Sequence, residues 1–146
     1  MHFLNDRILL LTLKSKGEKM KFSEVNDDSI NELMDVFYNK VRINPELGPI
    51  FNGKVGTDEA SWDAHKAKIA SFWRLQLLGE QGYNGYPMKA HLELDPFPRE
   101  FFNTWLGLFE ESLNEVYDNP ECVGLVLSRA NMIAARFQKM MYEFPH

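Results

Sequence analysis

The stretch MKAHLELDPFPREFFNTW, residues 88–105, places one histidine on a short apolar segment, just before two prolines and a long aromatic run. Pro96 and Pro98 stop a helix, because a proline ring has no amide donor and restricts the residue before it. Pro87 bounds the segment on its other side, so the sequence predicts a short helix that holds His91 in a fixed direction. From this segment alone, an exposed histidine on a surface turn is an equal alternative.

The rest of the chain has the pattern of amphipathic helices. Apolar residues recur at spacings of three and four in four segments: 30–41, 62–77, 101–113 and 123–141. No segment shows convincing alternation with a period of two, so the predicted fold class is all-α.

Capping residues, prolines and glycines give the expected helix boundaries. We expect the first helix to begin within Asn26–Ser29 and to end at Asn44-Pro45, and Thr57 or Ser61 to cap the next, which ends near Gly79. Pro98 and Pro120 open the last two helices. The segment ELGPIFNGKVG, residues 46–56, is interpreted as a compact turn region.

The length of 146 residues suits one domain. Residues 1–19 differ in composition from the rest and are interpreted as an appended arm, disordered or not native, before a domain at 20–146. Met20 is an alternative start. The chain has 11 Phe, 3 Trp and 5 Tyr, so its core is either bulky or encloses something flat and apolar.

Charge and composition exclude several classes of function. A net charge of −5 argues against nucleic-acid binding, and no basic stripe indicates an anionic membrane surface. The longest apolar run, at 8–11, is too short to span a bilayer and lacks a signal-peptide cleavage site. We therefore expect a soluble, cytoplasmic protein and a monomer. Cys122 is the only cysteine, so a zinc site built on cysteines is excluded; it is interpreted as a small, partly buried hydrophobe, with a reactive thiol as the alternative.

A second internal histidine lies within a helical segment. His65 precedes Ile69 by four residues and Phe72 by seven, so all three share the face that points to the core. A lone histidine there is more often a partly buried residue bonded to a backbone carbonyl. Zinc suits His65 and His91 poorly, because they are 26 residues apart without the usual motifs. Two histidines on two helices of an aromatic all-α chain fit haem better.

Four motifs then resemble the truncated haemoglobins of group III. They are FYNKVRINPELGPIF (37–51), HKAKIASFW (65–73), KAHLELDPFP (89–98) and FFNTWLGLFEESL (101–113), in the family's order and with close spacing. The similarity extends from about Met20 to Tyr142, and the N-terminal arm is the main departure. The resemblance implies a shortened globin in which two helices stack over two others around haem b.

The resemblance also implies roles for individual residues. His91 matches the proximal iron ligand, and the distal side of the pocket matches Tyr38, His65, Ile69 and Trp105. The haem-binding positions are Phe51, Lys68, Phe72, Trp73, Leu94, Phe97 and Ile133, with Lys68 reaching a propionate from the rim. Without the resemblance, Tyr38 and Trp105 are equally well explained as core residues, and Lys68 as a solvated charge.

These assignments imply that dioxygen, nitric oxide and carbon monoxide are the ligands. The Tyr38 hydroxyl and the Trp105 indole N–H are hydrogen-bond donors that favour bound dioxygen, so we expect tight binding, unsuited to delivery. A haem enzyme that reduces peroxide or oxidises nitric oxide is the alternative; it needs an external reductase, because no internal flavin or nicotinamide motif is present. A cofactor-free helical interaction module is the remaining alternative.

Overall fold

The computed structural model describes residues 20–83, 85, 87, 90, 94 and 96–143. Five helices lie within them: α1 (Asp27–Ile43), α2 (Leu47–Val55), α3 (Glu59–Leu78), α4 (Phe101–Val116) and α5 (Pro120–Tyr142). The described residues form no strand beyond an isolated bridge, so the all-α prediction is confirmed. The predicted arm at 1–19, His91 and most of the short helix around it lie outside the described residues.

Two pairs of helices cross to make the core. α1 packs on α3, α4 packs on α5, and α1 joins the pairs through α4, which gives the predicted two-over-two arrangement. Phe37 of α1 and Phe109 of α4 meet at this crossing with their ring centroids 5.1 Å apart, and both are fully buried. No helix in the described part of the chain is long and apolar enough to cross a membrane.

Local chemistry explains most helix boundaries. Asn26 and Ser29 form a reciprocal capping box at the start of α1, as their residue types predict. Gly79 ends α3 in the left-handed conformation, with φ +70°. The N-cap of α3 is Asp58, not Thr57 or Ser61, because the Asp58 carboxylate accepts the Ser61 backbone amide at 2.9 Å.

The segment at 46–56, predicted as a turn region, instead contains the helix α2. Pro49 lies in the first turn. Amides there have no acceptor within the helix, so the missing N–H of proline costs no helical hydrogen bond. The Asn44 side chain accepts the amides of Glu46 and Leu47, both at 2.9 Å. Gly48 lets α2 approach α1 closely, since a Cβ there would lie 2.8 Å from the Arg42 carbonyl oxygen.

The start of α4 also differs from the prediction. The helix begins at Phe101, whereas Pro98 was expected to open it. The Phe101 amide donates to the Pro98 carbonyl at 3.0 Å, across three residues, so Pro98 begins a tight turn that leads into the helix.

Candidate functional site

One apolar cavity opens between the helix pairs. Counting the open space at its mouth, it encloses about 890 Å³, and its lining is mostly apolar, as in small-molecule and cofactor sites. Every helix contributes to its wall. The lining residues are Tyr38, Leu47, Ile50, Phe51, His65, Ile69, Phe72, Trp73, Pro87, Leu94, Phe97, Phe101, Phe102, Trp105, Ile133, Ala134 and Phe137.

A polar cluster forms one wall of this cavity. The Tyr38 ring lies edge-on to the His65 ring, with their centroids 5.1 Å apart, and both rings contact Trp62 at 5.7 and 5.4 Å. The Nε2 atom of His65 is buried. Trp62 is fixed in turn, because its indole N–H donates to the Gly56 carbonyl at 2.8 Å. These ring contacts and the Trp62 hydrogen bond hold the polar cluster in place.

The Tyr38 hydroxyl is a protonated donor. Burial raises the pKa of Tyr38 well above its ordinary value of 10.0, and the nearby Tyr83 hydroxyl raises it further. The side chain is 5% exposed, so the neutral form is strongly favoured in this apolar setting.

Trp105 also lines the cavity, and two phenylalanines support it. Its ring stacks on Phe109 at 5.2 Å with an angle of 6° between the planes, and meets Phe37 edge-on at 5.2 Å. These contacts fix the direction of the indole ring, which lines the cavity.

Two hydrogen-bond donors line this cavity, the Tyr38 hydroxyl and the Trp105 indole N–H. Indole N–H can only donate, and a protonated phenol donates readily. A ligand that brings an acceptor into the cavity can therefore be held by both.

The opposite end of the cavity is tied to the end of α5. The Tyr142 hydroxyl donates to the Phe97 carbonyl at 2.8 Å, and Arg99 donates to Gln138 at 3.0 Å and pairs with Glu143 at 2.8 Å. Phe97 itself lines the cavity between two prolines. The chain that follows the His91 segment is thus anchored by contacts with α5.

The structure brings most of the sequence-predicted site residues together. Tyr38, His65, Ile69, Trp105, Phe51, Phe72, Trp73, Leu94, Phe97 and Ile133 all line the cavity. Lys68 lines a separate shallow depression with Ser71, Gly82, Tyr83 and Gly85. His91 lies outside the described residues, so its role as iron ligand stays a prediction.

Several lining residues were not predicted from the sequence. Leu47 and Ile50 were missed because their segment was interpreted as a turn. The others lie within helices that the sequence did predict. Spacing marked most of them as inward-facing but could not show that they line a pocket; they are Phe101, Phe102, Ala134 and Phe137.

A flat apolar group fits the described residues. Phenylalanine and tryptophan rings from four helices line the cavity, and Tyr38, His65 and Trp105 add polar groups that can face an iron-bound ligand. The described part of the cavity therefore suits haem.

A two-over-two helical fold around such a cavity defines a globin-type protein. No protein-family model matches the chain. It is 56% identical over 125 residues to the group 3 truncated hemoglobin ctb of Campylobacter jejuni, covering 86% of this chain and 98% of that protein. A crystal structure of a group III truncated hemoglobin from Campylobacter jejuni matches with a TM-score of 0.82 and 55% identity, covering 87% of this chain and 99% of the other. The chain belongs to the group III truncated haemoglobins.

Membership of this family implies a haem cofactor and the binding of ligands at haem. The cofactor-free interaction module is therefore without support.

Proposed function

We propose that this protein binds haem b in the described cavity, with His91 as the iron ligand, and holds dioxygen with high affinity beside Tyr38 and Trp105. Nitric oxide and carbon monoxide are ligands of the same site. The observation that carries the proposal is the pair of hydrogen-bond donors, Tyr38 and Trp105, that line one otherwise apolar cavity.

When bound, haem would supply the ligand-binding position, and dioxygen held there would carry partial negative charge. The two donors stabilise that charge. A hydrogen bond to a charged group contributes about 1.5–3 kcal/mol. Since about 1.4 kcal/mol corresponds to a factor of ten, each donor slows oxygen release on the order of ten- to a hundredfold. Retention of that kind suits chemistry on the ligand better than transport.

The apolar walls have a second role. Phe72, Trp73 and Phe97 exclude water from the faces of a flat cofactor, and a dry site strengthens each donor's interaction with bound dioxygen. His65 adds a polar group beside Tyr38, at the ring separation of 5.1 Å given above. We place Lys68 at the rim, where it pairs with a propionate from the neighbouring depression.

The test is a set of absorption spectra of the wild type and His91→Ala, ferric and then ferrous with carbon monoxide. The wild type is expected to show an intense Soret band and a histidine-ligated carbonyl spectrum, which the variant loses. His65→Ala is the matched control and keeps the histidine-ligated spectrum. A wild-type protein that takes up no added haemin would refute the proposal, and an unchanged spectrum in His91→Ala would refute the assigned ligand.

A further inference from the structure

Seven aromatic side chains form a continuous row of ring contacts that begins at Tyr38 in the polar wall of the cavity and ends at the partly exposed Tyr83, whose hydroxyl is also close enough to Tyr38 to raise the pKa of Tyr38. Adjacent ring centroids are 4.9 to 5.5 Å apart. The order of the row is Tyr38, Phe37, Trp105, Phe109, Trp73, Phe72 and Tyr83.

Tyrosine or tryptophan alternates with phenylalanine along the whole row. Phenol and indole rings are electron-rich and give up an electron much more readily than a phenyl ring. Each phenylalanine lies between two such rings and packs against both of them. Trp105 and Trp73 sandwich Phe109, with interplanar angles of 6° and 20°, so the middle of the row is a stack of three rings.

The two ends of the row differ in their access to water. Tyr38 is 5% exposed in an apolar wall, whereas Tyr83 is partly exposed and lines the depression that also contains Lys68 and Ser71. An oxidised phenol must release its hydroxyl proton, and moving that charge into an apolar interior is unfavourable. Tyr83 can pass its proton to solvent, so an electron vacancy in the row settles there.

We propose that this row conducts oxidising equivalents from the haem pocket to Tyr83, which oxidises phenolic donors at the surface. The proposal rests on the haem site proposed above. It adds a second site, outside the ligand cavity, for a class of substrate that need not enter the cavity.

The reaction balances with hydrogen peroxide as the oxidant. Peroxide takes two electrons and two protons, its O–O bond breaks, and two molecules of water form. Tyr83 replaces each electron that leaves the row. It also loses its hydroxyl proton and so becomes a phenoxyl radical. A phenolic donor then gives one hydrogen atom to restore the Tyr83 O–H bond. Two donors are oxidised by one electron each for every peroxide reduced.

The test treats the ferric, haem-loaded protein with hydrogen peroxide and a nitroso spin trap, then locates the adduct by peptide mass spectrometry. The adduct is expected on Tyr83, is lost in Tyr83→Phe and is weaker in Trp73→Phe. Tyr117→Phe is the control, because Tyr117 lies off the row and bonds to Ser29 outside the cavity; it keeps the Tyr83 adduct. In parallel, peroxide-dependent oxidation of 2-methoxyphenol is lost in Tyr83→Phe.

Two results would overturn the proposal: haem-loaded wild type without an adduct on Tyr83, or unchanged 2-methoxyphenol oxidation in Tyr83→Phe. An adduct yield in Trp73→Phe equal to that of the wild type would show that the row is not the route. Absorption spectra separate the two proposals. A protein without a Soret band contradicts the haem site itself, whereas a haem-loaded protein that fails the trapping test contradicts only the row.

Discussion

The rings of Tyr38 and His65 meet edge to face, with centroids 5.1 Å apart and an interplanar angle of 81°. One residue comes from α1 and the other from α3, and both line the cavity. The packing of these two helices thus brings a phenol and an imidazole together on one wall. Which of the wall's polar groups controls the bound ligand is open to direct measurement.

Removal of the Tyr38 hydroxyl is expected to speed oxygen release. In Tyr38→Phe the bound ligand loses a donor, so the release rate rises on the order of ten- to a hundredfold. Stopped-flow displacement of oxygen by carbon monoxide measures it. Tyr117→Phe is the control, since Tyr117 is equally buried but bonds to Ser29 outside the cavity. Equal release rates in Tyr38→Phe and the wild type would exclude this hydroxyl as a donor.

Burial of Tyr38 predicts a loss of stability at alkaline pH. Its pKa is raised above the ordinary value of 10.0, so above that pH the unfolded chain binds fewer protons than the folded protein and is favoured. The free energy of unfolding then falls by up to about 1.4 kcal/mol per pH unit through this group.

Tyr38→Phe should flatten that decline. Urea unfolding of the haem-loaded protein, from about pH 9 to about pH 11, brackets the ordinary tyrosine pKa and measures the slope. Tyr142→Phe is the comparison, with a smaller expected effect because Tyr142 is 37% exposed. If both variants keep the wild-type slope, burial of Tyr38 is not the source of the pH dependence.

Two glycines of α2 are expected to respond in opposite ways to alanine. A Cβ on Gly48 would lie 2.8 Å from the Arg42 carbonyl oxygen, so Gly48→Ala forces α2 away from α1 and costs about 1–3 kcal/mol. Gly53 has no atom within 4 Å of such a Cβ, so Gly53→Ala gains about 0.4–1 kcal/mol through reduced chain entropy. Denaturant unfolding of both variants decides; a stabilised Gly48→Ala would contradict the close approach.

The buried contact between Ser29 and Tyr117 is expected to show strong coupling. Their hydroxyl oxygens are 2.7 Å apart, and Ser29 also accepts the Asn26 amide in the capping box of α1. Ser29→Ala leaves the Tyr117 hydroxyl without this partner, a cost of about 1–3 kcal/mol, in addition to the weakened cap. A double-mutant cycle with Tyr117→Phe should give a coupling of about 0.5–3 kcal/mol. Strict additivity would show that the bond contributes nothing.

Loss of Arg99 is expected to weaken haem retention more than folding. Its partners Gln138 and Glu143 are on the surface, so Arg99→Ala changes the free energy of unfolding by less than about 1 kcal/mol. The same change releases the chain beside Phe97, a cavity residue, and should accelerate transfer of haemin to an apo-globin acceptor. Arg136→Ala, an exposed arginine of α5, is the control. Equal transfer rates in both variants would rule out this anchoring role.

Local sequence patterns determined most helices and the chemistry of the candidate site. Spacing of three and four predicted the inward faces of α1, α3, α4 and α5, because each depends on residues within one or two turns. Three helix ends also follow from local chemistry. The Asn26 side chain caps α1, Gly79 ends α3 in the left-handed conformation, and Pro120 has its backbone restricted by its ring at the start of α5. The four ordered motifs identified the family, and the sequence also supplied Tyr38, His65 and Trp105 as pocket candidates.

Only the tertiary structure decided what depends on contacts between distant segments. Residues 47–55 form a helix although Gly48 and Pro49 weaken the local pattern, since Asn44 caps them and Gly48 fits against α1. The same packing brings Leu47 and Ile50 into the cavity and leaves Lys68 in a neighbouring depression. The aromatic row likewise exists only after folding, because its contacts join α1, α3 and α4. Periodicity gives the face of a helix, whereas the helix that packs against that face decides which residues meet.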